Sequence, residues 1–235
     1  MARVFGSPLE LANIERHVVG FTRATSERAP LVGPDPAGQQ GVSLGSLGIA
    51  WPRLVMATDV HQVRQALGRS VWGDPGSDDV NAMMLGLRLS WLRRLQRLLP
   101  SQTDFCTGAA AVLVATERYG YQRRTSEVVA RDLRRMIGHR WTEATSLEQF
   151  LNALPAPASW PFESVTTPFD LWQAELAVAA RAAQLGTAGI KTTRPNRETM
   201  AAIMMAFLVD LWRVTAAIEM AGRTRQPSEV LDAVA

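Results

Sequence analysis

One cysteine, one lysine and three histidines stand in 235 residues, and each scarcity closes off a class of chemistry. The single thiol, Cys106, cannot form an internal disulfide and cannot build a Cys-rich metal site. His17, His61 and His139 are far apart, and none stands in a metal spacing such as His-Glu-x-x-His. No phosphate-cradling loop is present: Gly33-Pro34-Asp35-Pro36-Ala37-Gly38 lacks the lysine and the strand-to-helix context. Long apolar runs are missing too, since uncharged stretches such as Thr199–Val209 fall well short of the ~20 residues of a spanning helix. The opening Met1-Ala2-Arg3 lacks the apolar core of a secretion signal. These absences predict a soluble, intracellular chain. Hydrophobic residues at 47% and charged residues at 20% predict a folded one, long enough for a substantial core.

The remaining candidates for catalysis have structural explanations. Asp78-Asp79 stands where a helix is predicted to start, and negative charge there offsets the helix dipole. Cys106 precedes an alanine-rich helix with no histidine close in sequence, which fits a small buried filler better than a nucleophile. His17, with Glu10 and Glu15 nearby, reads as a helix-surface histidine. No constellation asks for a reaction, a cofactor or a metal. The expectation is a non-enzyme.

The charge that is present is unevenly placed. Arginine supplies 24 of the 25 basic residues, and Lys191 is the sole lysine. Residues 88–140 hold 11 Arg against 4 acids, while the rest of the chain holds 14 bases against 18 acids. Such a segment either solvates the outer faces of helices or meets an acidic surface: nucleic acid, lipid headgroups or a protein. Arg93, Arg94, Arg97, Arg134 and Arg135 are the candidate partner-binding residues.

Periodicity is helical nearly throughout. Ser7-Pro8-Leu9-Glu10 predicts a capped start, with Glu10 completing a capping box, and Leu11, Ile14, Val18 and Phe21 form a buried stripe. Residues 25–48, rich in Gly and Pro, predict a long loop. Further helices are predicted over 58–69, 77–99, 104–118, 126–136, a short stretch after Thr145-Ser146, 169–185 and 196–221. Gly186 and Gly189 are expected to break the 169–185 helix, and Pro227 to open a last turn. Met200, Met204, Phe207, Leu211, Val214 and Ile218 follow the seam spacing of a coiled coil or bundle. Pro155, Pro157, Pro161 and Pro168 mark 152–168 as a candidate linker within a single domain spanning 1–235, although Trp160 and Phe162 could pin it to a core. No segment alternates with period two. The fold class is all-α, as stacked helical hairpins or an irregular bundle.

The order of these pieces resembles the C (also called d) subunit of archaeal and vacuolar-type rotary ATPases. In that family an apolar-acidic-x-x-Asn-Leu/Ile helix precedes a Gly-containing loop and a short helix ending in an aromatic–Gly turn. Here Leu9-Glu10-Leu11-Ala12-Asn13-Ile14-Glu15-Arg16, then Pro30-Leu31-Val32 and a Gly-rich break, then Val60–Arg69 and Val71-Trp72-Gly73 follow that order. Glu175–Leu185, Met200–Ile218, Arg223 and Ser228-Glu229-Val230-Leu231 are similar to the family's closing helices. Trp212-Arg213-Val214 stands where the family has an Asn-Leu-Arg-like stretch. The likeness covers roughly residues 5–75 and 170–235, and the section 80–165 matches only in being helical.

That resemblance implies a structural role: a funnel of stacked helices like the C subunit of V-type ATPases, without cofactor or active site. Such a protein lies on the cytoplasmic face of the membrane, seats the central stalk on the rotor ring and passes torque during proton or sodium transport. The basic segment would then face acidic residues of stalk or ring, and no individual contact residue is carried over. Two other readings stand beside it. A helical nucleic-acid-binding regulator would use the Arg-rich 118–140 segment, with Arg134, Arg135 and Arg140 on a recognition helix flanked by Tyr119, Tyr121 and Trp141. A small-molecule-binding bundle would rest on the Met83-Met84 and Met204-Met205 pairs, which core packing also explains.

Overall fold

The computed structural model describes residues 2–25, 45, 48–191 and 196–223, and every regular element among them is helical. In chain order the α-helices are α1 (Ala2–Thr25), α2 (Trp51–Leu54), α3 (Val60–Gly68), α4 (Val80–Leu98) and α5 (Thr103–Ala115). They continue as α6 (Glu127–Ile137), α7 (Leu147–Ala153), α8 (Ala156–Ser159), α9 (Leu171–Ile190) and α10 (Arg197–Arg223). The chain divides into two compact units, residues 1–175 and 176–235.

Local chemistry sets most boundaries. Asp59, Asp79, Ser126, Ser146 and Asn196 each accept a backbone N–H from the first turn of α3, α4, α6, α7 and α10. The start of α1 departs from expectation. Helix runs from Ala2 through Pro8, so Ser7 is an interior residue of α1 and not its cap, and the Glu10 carboxylate accepts from Ile49, Ala50, Trp51 and Trp72. Proline costs one N–H there, and burial of Gly6, Ser7 and Pro8 offsets the loss. Most of the predicted 25–48 loop, and the turn at Pro227, lie outside the described residues.

In the first unit α4 is central and packs on α1, α5 and α6. Met83, Met84, Leu85, Leu87, Leu89, Leu92 and Leu95 are buried around almost its whole circumference, as a core helix requires. Ile14 and Val18 of α1, Leu54 of α2, and Val63 and Leu67 of α3 close one side of that core. On the other side Phe150 meets Tyr119, Trp141 and Phe162 in ring contacts of 5.5, 6.3 and 6.3 Å.

The proline-rich stretch 152–168 belongs to that core. α8 makes the most extensive inter-helix packing of the first unit, on α5. Trp160 donates its indole N–H to the Asp104 carbonyl at 3.1 Å, over Gly108. Gly108 has no Cβ where one would stand 2.3 Å from the Trp160 nitrogen.

In the second unit α9 runs unbroken through Gly186 and Gly189, against the expected break. Their missing Cβ atoms let α10 approach: a Cβ at Gly189 would lie 2.2 Å from that of Ala202, and one at Gly186 3.1 Å from the Ala206 backbone nitrogen. The seam is therefore built of small residues. Met204 is buried, but Met200, Phe207, Leu211 and Val214 of the predicted stripe are exposed.

Candidate functional site

Glu10 joins three separate parts of the first unit through four hydrogen bonds. It lies on the buried face of α1, one turn before Ile14, and is wholly buried. One carboxylate oxygen accepts the backbone N–H groups of Ile49, Ala50 and Trp51 at 2.6, 2.7 and 2.9 Å. These are donors that the entry to α2 leaves without intrahelical partners. The other oxygen accepts the Trp72 indole N–H at 2.9 Å. Four charge-assisted bonds thus tie α1 to the end of the Gly-rich segment and to the Trp72-Gly73 turn.

Trp72 carries the arrangement to α4. Its carbonyl accepts from the buried Ser90 hydroxyl at 2.8 Å, and the Arg94 guanidinium lies 4.2 Å from its ring centroid. Burial pushes Arg94 down to about 10; the Glu10 charge opposes that shift and neighbouring Arg93 adds to it. His17, also on α1, donates to the Ala57 carbonyl at 3.2 Å and packs edge-on against Phe21 and Trp51. It is a half-buried packing residue, not a surface histidine.

The arginines predicted to bind a partner divide into two sets. Arg93 bridges α4 to α6 through Asp132, and Arg94 is held on Trp72. Arg134 pairs with Glu127. Arg97 is exposed without an ion pair among the described residues, and Arg135, 65% exposed in its side chain, reaches Asp132 only at 3.6 Å. Of the five, Arg97 and Arg135 remain open to a partner.

The 118–140 segment is drawn inward at its start. Arg118 donates to the Trp141 and Ala144 carbonyls, and Tyr119 donates to the Ala144 carbonyl at 3.3 Å. Trp141 is buried, while Tyr121 is exposed beneath the Arg123 guanidinium at 4.6 Å. A π-helical turn, Thr116–Gly120, precedes the link to α6. Arg124, Arg131 and Arg140 are exposed. All four paired methionines are buried, so they act as core.

Burial pushes the Cys106 thiol up to about 12, which removes its nucleophilic form at ordinary pH. Among the described residues no group of three metal-ligating side chains occurs, and no helix is long and apolar enough to cross a membrane. Comparison with family models, curated proteins and solved structures gives no match.

Sequence reasoning passes over Glu10 as a structural hub. The signal is present: Glu10, Ile14 and Val18 share one face, so a carboxylate stands on a buried stripe and must find donors.

Proposed function

We propose that this chain is a non-catalytic connector of a V/A-type rotary ATPase, seating the central stalk on the membrane rotor ring at the cytoplasmic face. The observation that carries the reading is the reach of Glu10. The acidic helix, the end of the Gly-containing loop and the aromatic–Gly turn are the pieces whose order resembles the C subunit, and this one carboxylate binds all three. A joint that passes torque needs rigid junctions between short helices, and a buried, fully bonded carboxylate supplies one. The all-helical architecture suits such a socket, and the exposed arginines Arg97 and Arg135 would orient an acidic stalk or ring surface.

A tagged pull-down from the native membrane fraction, at low and then high salt, tests the reading. Recovery of a stalk subunit and ring protein, lost as salt rises, is the expected result. Recovery of nucleic acid with no ATPase subunit would overturn it in favour of a DNA-bound helical regulator.

A further inference from the structure

An open groove of about 370 Å³ lies between α2 and α3, lined by two arginines and three apolar side chains. Met56, Ala57 and Ala66 are the apolar lining, and Met56 is 76% exposed. The side chains of Arg53 and Arg69 line it too, with no ion pair or hydrogen bond among the described residues. The glutamines beside them are already engaged. Gln62 donates to Thr58 and Asp59 at 2.9 Å each, and Gln65 bonds His61 at 2.8 Å. Among the described residues no carboxylate lines the groove. The dent of about 350 Å³ bounded by His139, Arg140 and Glu143 differs on that point, because it carries its own acid beside its cation.

Several arginines of this unit are matched by acids. Arg64 pairs with Asp74 and Asp78, Arg88 with Glu15, and Arg93 with Asp132. Arg53 and Arg69 have no such partner among the described residues, and unlike the bare Arg97 they line one groove with a thioether side chain that is left in solvent. An unpaired guanidinium beside an exposed apolar side chain suits a carboxylate carried next to an aliphatic side chain.

We propose that the α2–α3 groove is a docking site for an acidic protein segment, whose carboxylates lie against Arg53 and Arg69 and whose aliphatic side chain covers Met56. The inference rests on the connector reading for who the partner is, and on the groove alone for its chemistry. Glu10 gives the site its rigidity: by holding the amides of Ala50 and Trp51 it fixes the start of α2, from which Arg53 projects. The docking site and the buried carboxylate are then two ends of one short helix.

The test is fluorescence anisotropy of the full chain with a fluorescein-labelled peptide of Glu, Leu and Ala. A peptide with Lys in place of Glu, and a labelled duplex DNA, serve as competing probes. The acidic peptide is expected to bind, and Arg53→Gln/Arg69→Gln to weaken it by about tenfold or more. Met56→Glu should weaken it as well, by repulsion, and circular dichroism should show each variant folded. Equal affinity for wild type and the double variant overturns the proposal, as does failure of the wild type to bind the peptide. Duplex DNA binding lost in the same variant also overturns it and reassigns the groove to phosphate. Peptide binding that depends on these arginines, with no ATPase subunit recovered from membranes, would uphold the groove and remove the connector reading.

Discussion

Glu10 and Trp72 stand 62 positions apart and meet through a 2.9 Å hydrogen bond from the indole to a wholly buried carboxylate. The bond matters because the same carboxylate holds three backbone amides at the entry to α2. Loss of the charge weakens four bonds together.

Glu10→Gln is therefore expected to be severe for so conservative a change. An amide cannot accept with both ends, so at least one buried donor loses its partner, at a cost of about 2–4 kcal/mol. Trp72→Phe keeps the ring beneath Arg94 and removes one donor, costing about 1–2 kcal/mol. Urea unfolding of both single variants and the double variant checks this, and the effects should be non-additive because the groups share a network. Additive losses would mean that the indole and the carboxylate act independently.

Arginine substitutions should separate framework from surface. Arg93→Ala strips Asp132 of a partner in a half-buried pair and should cost about 1–3 kcal/mol. Arg97→Ala should change stability by no more than about 0.5 kcal/mol. Under the connector reading the Arg97 variant nonetheless loses binding to the membrane fraction. Thermal melts and pull-downs on the same preparations separate the two effects.

Acid titration should expose a surface network. Arg64 and the Gly76 amide hold Asp74 below its ordinary value of 3.8, and His61 with Arg64 does the same for Asp78. Carboxylates so lowered contribute stability above 3.8 and lose it as pH falls through their folded values. Arg64→Gln should thus cost less than about 1 kcal/mol at neutral pH, since these groups are solvated. The difference from wild type should shrink towards zero by about pH 2. A difference that persists in acid would assign the effect of Arg64 to packing.

Gly108→Ala should destabilise the first unit by about 1–3 kcal/mol, because the new methyl group displaces Trp160 from the Asp104 carbonyl. The indole N–H signal of Trp160 in an NMR spectrum, assigned with a Trp160→Phe variant, should move as its bond to the Asp104 carbonyl is lost. An unchanged signal together with unchanged stability would contradict the tight α5–α8 contact.

Cys106 should resist thiol reagents at pH 8 in the folded protein and react fully in denaturant, since burial keeps it protonated. Rapid native labelling would mean that α5 opens readily.

Helix identity is legible wherever capping chemistry and period coincide. Asp79, Ser126, Ser146 and Asn196 each mark a start that the structure places within one turn of expectation. Where one residue type supports two opposite structures, the sequence misleads. Prolines at 155, 157 and 161 suggest a linker, yet they sit in or beside short helical turns that Trp160 and Phe162 anchor to α5 and Phe150. Gly186 and Gly189 suggest a break but serve close packing, and only the facing Ala202 and Ala206 tell the two apart. Long-range partners are the least legible. Nothing local to Glu10 names Trp51 or Trp72, and nothing in the run of arginines says that Arg93 meets Asp132 while Arg97 meets no acid among the described residues.

The most direct measurement of the central claim is ion transport driven by ATP in native membrane vesicles stripped of this chain and then resupplied with it. If the chain joins stalk to ring, stripped vesicles hydrolyse ATP without building an ion gradient, and the gradient returns when the wild-type chain is added. An ion gradient unchanged by removal of the chain would contradict the account.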